Sequence, residues 1–268
     1  MAHTLAFLGS GRLGSAIIRG LLAQKIHAPA SIACTSKSGA SAQKLAAETG
    51  IACESDLARL LGPADIVVVA FKPQSLATAD PRLAELTAGK LVISLLAGKR
   101  IARLAQTFPH ARNLVRTMPN TPAAIGAGIT AYCSQAPLTD ADRVTVERML
   151  GALGEFVALD EEYFDAVTAV GGSGPGFVFE FIGALRDGGI AAGLPPDVAQ
   201  RLAAQTALGS LKLLAHTGAT PEALRDQVVS PNGTTYAGLQ VLAGAKFRDL
   251  LRATVAAAAR RADELSRD

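Results

Sequence analysis

Two groups of residues in this sequence have the types and spacing to do chemistry, and they lie near its opposite ends. The first is Gly9, Gly11 and Gly14 in "LAFLGSGRLGSAIIRGLL", a G-x-G-x-x-G pattern between an apolar run and an amphipathic stretch. Glycine at the first position permits a tight turn. At the second it lets the backbone approach a pyrophosphate, and at the third it lets helix and strand pack closely. The helix start then offers free N–H groups and a positive dipole end to phosphate. The second group is Ser230, Thr234 and Thr235 in "SPNGTTYAGL", gathered where an Asn-Gly turn leads back into helix. A turn needs the Asn-Gly but not the hydroxyls, so these residues either cap a helix or hold a ligand.

The end of the second apolar run bears on the choice of dinucleotide. An NAD site places Asp or Glu there to accept from the adenosine ribose. This chain has "ACTSKSG", with Thr35, Ser36, Lys37 and Ser38 and no carboxylate. Hydroxyls and a cation suit a ribose carrying a 2′-phosphate, so the expectation is NADPH, with NADH as the alternative if Lys37 is only a solvated loop lysine. Further loops follow the later runs, where an open α/β sheet binds its ligands. "VVVAFKPQ" puts Lys72 in reach of the cofactor's ribose or phosphates. "VISLLAG" brings Ala97-Gly98, and "RTMPNTPAAIG" brings Asn120, which either orients a nicotinamide amide or a substrate, or forms a Pro-flanked turn.

These loops need a scaffold, and the first 160 residues supply one by alternation. Short apolar runs at 5–8, 31–34, 66–70, 91–95, 113–116, 128–132 and 156–159 are separated, early on, by helical patterns such as 13–24 and 41–49. Fully apolar strands alternating with helices predict a parallel sheet covered on both faces. After about Asp160 the texture becomes helical, with segments predicted at 175–192, 197–216, 221–229, 235–243 and 247–266. The fold class is therefore α/β: a Rossmann-type dinucleotide-binding domain over 1–160, then an all-helical domain over 161–268. The helical half has more apolar positions than it needs for itself, which predicts dimerisation with a second copy.

Composition narrows the classes. The chain has 268 residues, 49% apolar and 18% charged, with net charge +3. It is globular, and it has no basic run to track a nucleic acid. Cys34, Cys53 and Cys133 form no CxxC, and His3, His27, His110 and His216 are scattered, so neither disulfides nor a metal site is expected. No signal peptide is expected at the N-terminus, and the cytoplasm is the predicted compartment. The uncharged stretch after Arg116 contains Pro119, Asn120, Pro122 and Pro137, which argues against a membrane span.

Taken together, "FLGSGRLGSAI", "AFKPQ", "RTMPNTPA", "DAVTAVGGSGPGFVFEFI", "GLPPDVAQRLAAQTALGSLKLL" and "LRDQVVSPNGTTYAGL" resemble, in order, the motifs of the pyrroline-5-carboxylate reductases. The resemblance spans almost the whole chain. It implies reduction of Δ1-pyrroline-5-carboxylate to L-proline, and a dimer that often assembles further into a decamer. It also implies that Leu8, Gly9, Ser10, Gly11, Arg12, Leu13 and Gly14 hold the pyrophosphate and that Ser36, Lys37 and Asp56 lie by the adenosine. Ala70, Phe71, Lys72 and Ala97 would line the nicotinamide half. Ser230, Gly233, Thr234 and Thr235 would hold the substrate with Asn120 nearby, Thr235 serving as the catalytic hydroxyl.

Departures from the family pattern are Asn232-Gly233 for Gly-Gly, Val229 for a small hydroxyl or thiol residue, "LLAGKR" for a more Ala-rich loop, and Asp56 for Asn. Two rivals stand beside the resemblance. A β-hydroxyacid dehydrogenase would want a lysine soon after "GGSGPG", and none comes before Lys212. A non-catalytic dinucleotide sensor would leave the hydroxyl cluster without a small-molecule role.

Overall fold

The computed structural model describes residues 4–267; His3 lies outside them. Among the described residues, eight strands form one sheet: β1 (Leu5–Leu8), β2 (Ile32–Thr35), β3 (Ala52–Cys53), β4 (Ile66–Val69), β5 (Leu91–Ser94), β6 (Asn113–Met118), β7 (Gly128–Ser134) and β8 (Gly154–Ala158). The helices of the first half are α1 (Arg12–Ala23), α2 (Ala40–Thr49), α3 (Leu57–Leu61), α4 (Leu83–Leu86), α5 (Ile101–Thr107), α6 (Asp140–Gly151) and α7 (Phe164–Val167). Those of the second are α8 (Gly174–Ala191), α9 (Pro196–Thr217), α10 (Pro221–Gln227), α11 (Thr234–Gly244) and α12 (Phe247–Ser266).

The strands lie in the order β3-β2-β1-β4-β5-β6-β7-β8. The first six have the Rossmann order, which reverses between β1 and β4. Successive side chains of a strand enter opposite faces, and two apolar cores result. Leu5, Phe7, Val68 and Ile93 join α1 and α2 in one, while Ala6, Val67, Val69 and Val92 join α3 and α5 in the other. Burial on both faces explains why these strands read as continuous apolar runs. The predicted all-parallel sheet is corrected at one place: β7 runs antiparallel to β6 before β8 resumes a parallel pairing with β7. The stretch weighed as a membrane span holds the end of β6, a short 3-10 turn and β7, joined by loops, and among the described residues no helix is long and apolar enough to cross a membrane.

Two compact units emerge. One contains the residues up to Ser173 together with those from Ala258 on; the other is Gly174–Ala257. The expected division at 160 thus differs from the packing. Glu161 is the reason: its Oε1 accepts from the Ile101 amide at 2.7 Å and from Arg116 at 2.9 Å. Arg116 is buried on β6 and also stacks 4.5 Å from the centre of the Phe164 ring. A buried guanidinium without its carboxylate is costly, so residues 161–164 stay with the sheet. At the far end of the chain, Arg100 holds Asp263 at 3.0 Å and Ser266 at 3.1 Å.

The helical unit is built differently. Helices α8, α10 and α11 have no buried residue among those described. Val241 is 71% exposed and Phe179 65%, and Leu202, Leu211 and Leu250 are more than half exposed. An apolar surface of this extent marks an interaction face.

Within the first unit the tightest joint is between β7 and β8. Gly154 has φ +127°, and a Cβ there would collide with the Gly128 carbonyl oxygen and lie 2.7 Å from its nitrogen. Gly154→Ala should therefore lower stability by about 3 kcal/mol or more in a urea titration. Gly89→Ala, at φ +70° with open space around it, should cost only about 1–2 kcal/mol.

Candidate active site

The carboxyl ends of β1 and β4 meet where the strand order reverses. Gly9, immediately after β1, has φ +120°, and a Cβ there would sit 2.6–2.7 Å from the backbone of Ala70 and Phe71. Gly14 is equally constrained, its missing Cβ lying 2.7 Å from the Gly9 oxygen. These two glycines are explained by packing within the chain. Gly11 is not: its φ is an ordinary −69°, and a Cβ would meet nothing within 4 Å. It is the first flanking residue of α1, which carries no side-chain cap. The first amides of that helix therefore face open space with the positive end of its dipole.

Beside this turn lies a cavity of about 520 Å³, lined by Leu8, Gly9 and Phe71 at the strand ends, by Thr35, Ser36 and Lys37 after β2, and by Ser75, Thr78 and Asp80 opposite. A second space of about 490 Å³ continues from Ser36 and Lys37 to Ser38, Cys53, Glu54 and Ser55. The volumes suit a small-molecule ligand. Ser36 accepts the Ala42 amide at 3.3 Å, which fixes its place at the start of α2. Asp80 is held below the usual carboxylate range by hydrogen bonds from Arg82.

The other expected cofactor residues do not line this cavity. Ser10 is buried and shares a 2.9 Å hydrogen bond with Ser41, and Leu13 packs partly into the core. Arg12, Lys72 and Ala97 are exposed and Ala70 is half-buried; none of these four lines the cavity. Leu96, the departure in "LLAGKR", is buried in the second core. Asp56 accepts the Arg59 amide at 2.9 Å as the cap of α3, so one of its carboxylate oxygens is already engaged. Glu54, Ser55, Ser75, Thr78 and Asp80 had no motif to announce them. β3, which delivers the first two, is only two residues long.

Asn120, expected near the substrate, makes two hydrogen bonds within the chain. Its Oδ1 accepts the Ile129 amide at 3.1 Å and its Nδ2 donates to the Gly171 carbonyl at 3.2 Å. Both ends of the amide are engaged inside the chain.

The hydroxyl cluster occupies the helical unit. Asn232 takes φ +58°, a left-handed conformation that Asn tolerates. Gly233 donates to the Ser230 carbonyl at 3.0 Å, and a Cβ on Gly233 would collide with Ser230 Oγ. The turn thus draws Ser230 against the start of α11. No side chain caps that helix. Among the described residues, the hydroxyls of Ser230, Thr234 and Thr235 make no hydrogen bond within the chain. The capping explanation for these residues fails on this geometry, and a cluster of free donors at a helix entry is left.

Burial pushes the Cys34 thiol up to about 11 and the Cys133 thiol up to about 12, so both are protonated near neutrality. Among the described residues no group of three His, Cys, Asp or Glu is placed to hold a metal.

Comparison with known proteins decides the family. A family model described as pyrroline-5-carboxylate reductase dimerisation matches residues 161–265, and one described as NADP oxidoreductase, coenzyme F420-dependent, matches residues 4–98. Pyrroline-5-carboxylate reductase from Synechocystis is 39% identical over 271 residues, covering 100% of both chains. The chain belongs to the pyrroline-5-carboxylate reductase family. The solved structure of a pyrroline-5-carboxylate reductase from Coxiella burnetii matches with a TM-score of 0.93 at 29% identity, over 99% of each chain. That of the Plasmodium falciparum enzyme, with NADP bound, matches at 0.85 and 28%, over 98% of each. Membership of the reductase family weighs against both the dehydrogenase and the sensor.

Gly11→Val separates ligand binding from folding. The variant should unfold within about 0.5 kcal/mol of the parent, while its affinity for NADPH, read by quenching or calorimetry, should drop at least about tenfold.

Proposed function

We propose that this reductase converts Δ1-pyrroline-5-carboxylate to L-proline with NADPH, the substrate carboxylate being received at the start of α11. The observation that carries the assignment of the substrate to residues 230–235 is the uncapped helix entry with three unengaged hydroxyls beside it. Its amides and dipole attract an anion without an arginine. Ser230, Gly233 and Thr234 hold the carboxylate, and the Thr235 hydroxyl hydrogen-bonds the ring nitrogen.

NADPH, when bound, supplies the hydride that adds to the C=N carbon. The ring nitrogen carries its proton beforehand, since a cyclic imine is substantially protonated near neutral pH. The protonated imine is already electrophilic, so no committed general acid is required. Thr235 steadies the nitrogen as an orienting group or proton relay. Proximity and orientation do most of the rest, and in favourable cases supply about 7–11 kcal/mol of the barrier.

On the cofactor side, the open face of Gly11 leaves room for the pyrophosphate, and the uncapped start of α1 gives it N–H donors. Ser36, Lys37 and Ser38 receive the 2′-phosphate, which supports NADPH over NADH; Glu54 in the same space moderates the preference. The apolar faces of Gly174–Ala257 are covered by a second copy, and this dimer is the unit from which a decamer of the kind implied by the family is built. The cytoplasm is the proposed compartment, where the three free cysteines stay reduced.

The direct test is oxidation of NADPH that depends on added pyrroline-5-carboxylate and yields proline. In the same assay, Thr235→Ala should reduce kcat/KM for the imine by about 10–100-fold, the range of a lost hydrogen bond to a charged group. The dissociation constant for NADPH should stay within about twofold of the parent, because Thr235 is assigned to the imine and not to the cofactor. An equal loss of cofactor affinity would contradict the role given to Thr235.

A further inference from the structure

The chain between α7 and α8 is one turn of π-helix, Thr168–Gly172, closed by the Ser173 amide donating to the Thr168 carbonyl at 2.8 Å. Such turns are rare and occur frequently at functional sites. Two glycines in succession make this one costly, since each is about 1 kcal/mol worse than alanine in helical backbone. Gly172 has a reason within the chain: a Cβ there would lie 2.6 Å from the end of Met118. Gly171 has none, because nothing comes within 4 Å of its missing Cβ and its φ is not left-handed. It presents bare backbone to space outside the chain, as Gly11 does at the start of α1.

Met118 and Asn120 hold the turn, Met118 as the last residue of β6 and Asn120 two residues beyond it. That strand runs parallel to β5, β5 to β4 and β4 to β1, so their carboxyl ends share one rim. In open α/β sheets this rim is where a dinucleotide lies. The Asn120 amide is the polar link: one end fixes the start of β7 through Ile129, and the other takes the Gly171 carbonyl.

We propose that Asn120 is a positioning residue for hydride transfer: by its hydrogen bond to the Gly171 carbonyl it sets the π turn 168–172 as a wall of the nicotinamide half of the site. The inference rests on the reductase reading above and adds to it a residue that acts through another segment without touching substrate. A bare glycine wall lets a flat ring approach closely, and the Asn120 bond fixes how close.

The two ends of the amide can be separated. N120D keeps an oxygen to accept from Ile129 but, ionised, has nothing to donate to Gly171, whereas N120A loses both bonds. N120D should stay folded, somewhat less stable than wild type because a carboxylate then faces the Gly171 carbonyl, and bind NADPH within about twofold, yet its kcat should fall about 10–100-fold, the range for a small misplacement of reacting groups. The primary deuterium isotope effect on kcat, with NADPH deuterated at the transferred position, should rise because the hydride step becomes slower. Amide exchange at Gly171–Ser173 should quicken in the cofactor-free protein. A residue with only a structural role would lower stability and cofactor affinity together and leave the isotope effect unchanged; that pattern overturns the proposal. So does an N120D enzyme with wild-type kcat and isotope effect. A wild-type protein that fails to oxidise NADPH with the imine overturns the reductase reading itself, and with it this extension.

Discussion

The close approach of Gly9 to the Ala70–Phe71 backbone is the constraint on which the rest of the dinucleotide-binding unit depends. Two loops from the strands flanking the reversal of order touch main chain to main chain, at distances that no side chain would permit. This contact fixes where β1 ends and where α1 begins. Gly14 repeats the arrangement one turn later against Gly9 itself. With both positions locked by packing, Gly11 alone is left without a neighbour, and the free amides of α1 are aimed at a defined place.

The same device recurs in the helical unit with different residues. There the left-handed Asn232 and the collision-limited Gly233 draw Ser230 to the start of α11, again without a side-chain cap. Side-chain caps commonly satisfy the first amides of a helix, as Thr139 and Thr220 do for α6 and α10. Several helices here start without a side-chain cap; under the proposed function two of them serve anions, α1 beside the cavity at the strand ends and α11 amid unengaged hydroxyls. Neither requires a buried cation.

Much of this was legible in advance because its signals are local. The apolar runs at 5–8, 66–69 and 91–94 are buried on both faces, so their periodicity was unambiguous, and the glycine spacing carries its own stereochemistry. Asn at 232 was readable as a residue that accepts positive φ. What escaped was set by contacts distant in sequence. The two residues of β3 are too few to show a pattern, so Glu54 and Ser55 arrive beside Ser36 and Lys37 unannounced. The antiparallel return of β7 leaves no mark on a strand that is apolar either way. The boundary at 160 followed a real change in texture, but the Arg116–Glu161 pair, 45 residues apart in the chain, holds the next segment on the sheet. Asn120 was recognisable as an unusual polar residue among prolines; its partner in the π turn was not.

The unequal burial of the two units has a consequence for how the protein matures. A sheet whose central strands are sealed on both faces can form as soon as its own strands are made. Helices whose apolar sides point outward acquire their full driving force only when another polypeptide meets them. Newly made chains would therefore hold a finished nucleotide fold beside an unfinished helical one, and competence would lag synthesis by the time two molecules take to find each other. In a sparse population that delay lengthens, so abundance itself becomes a determinant of how much of the protein is in working form.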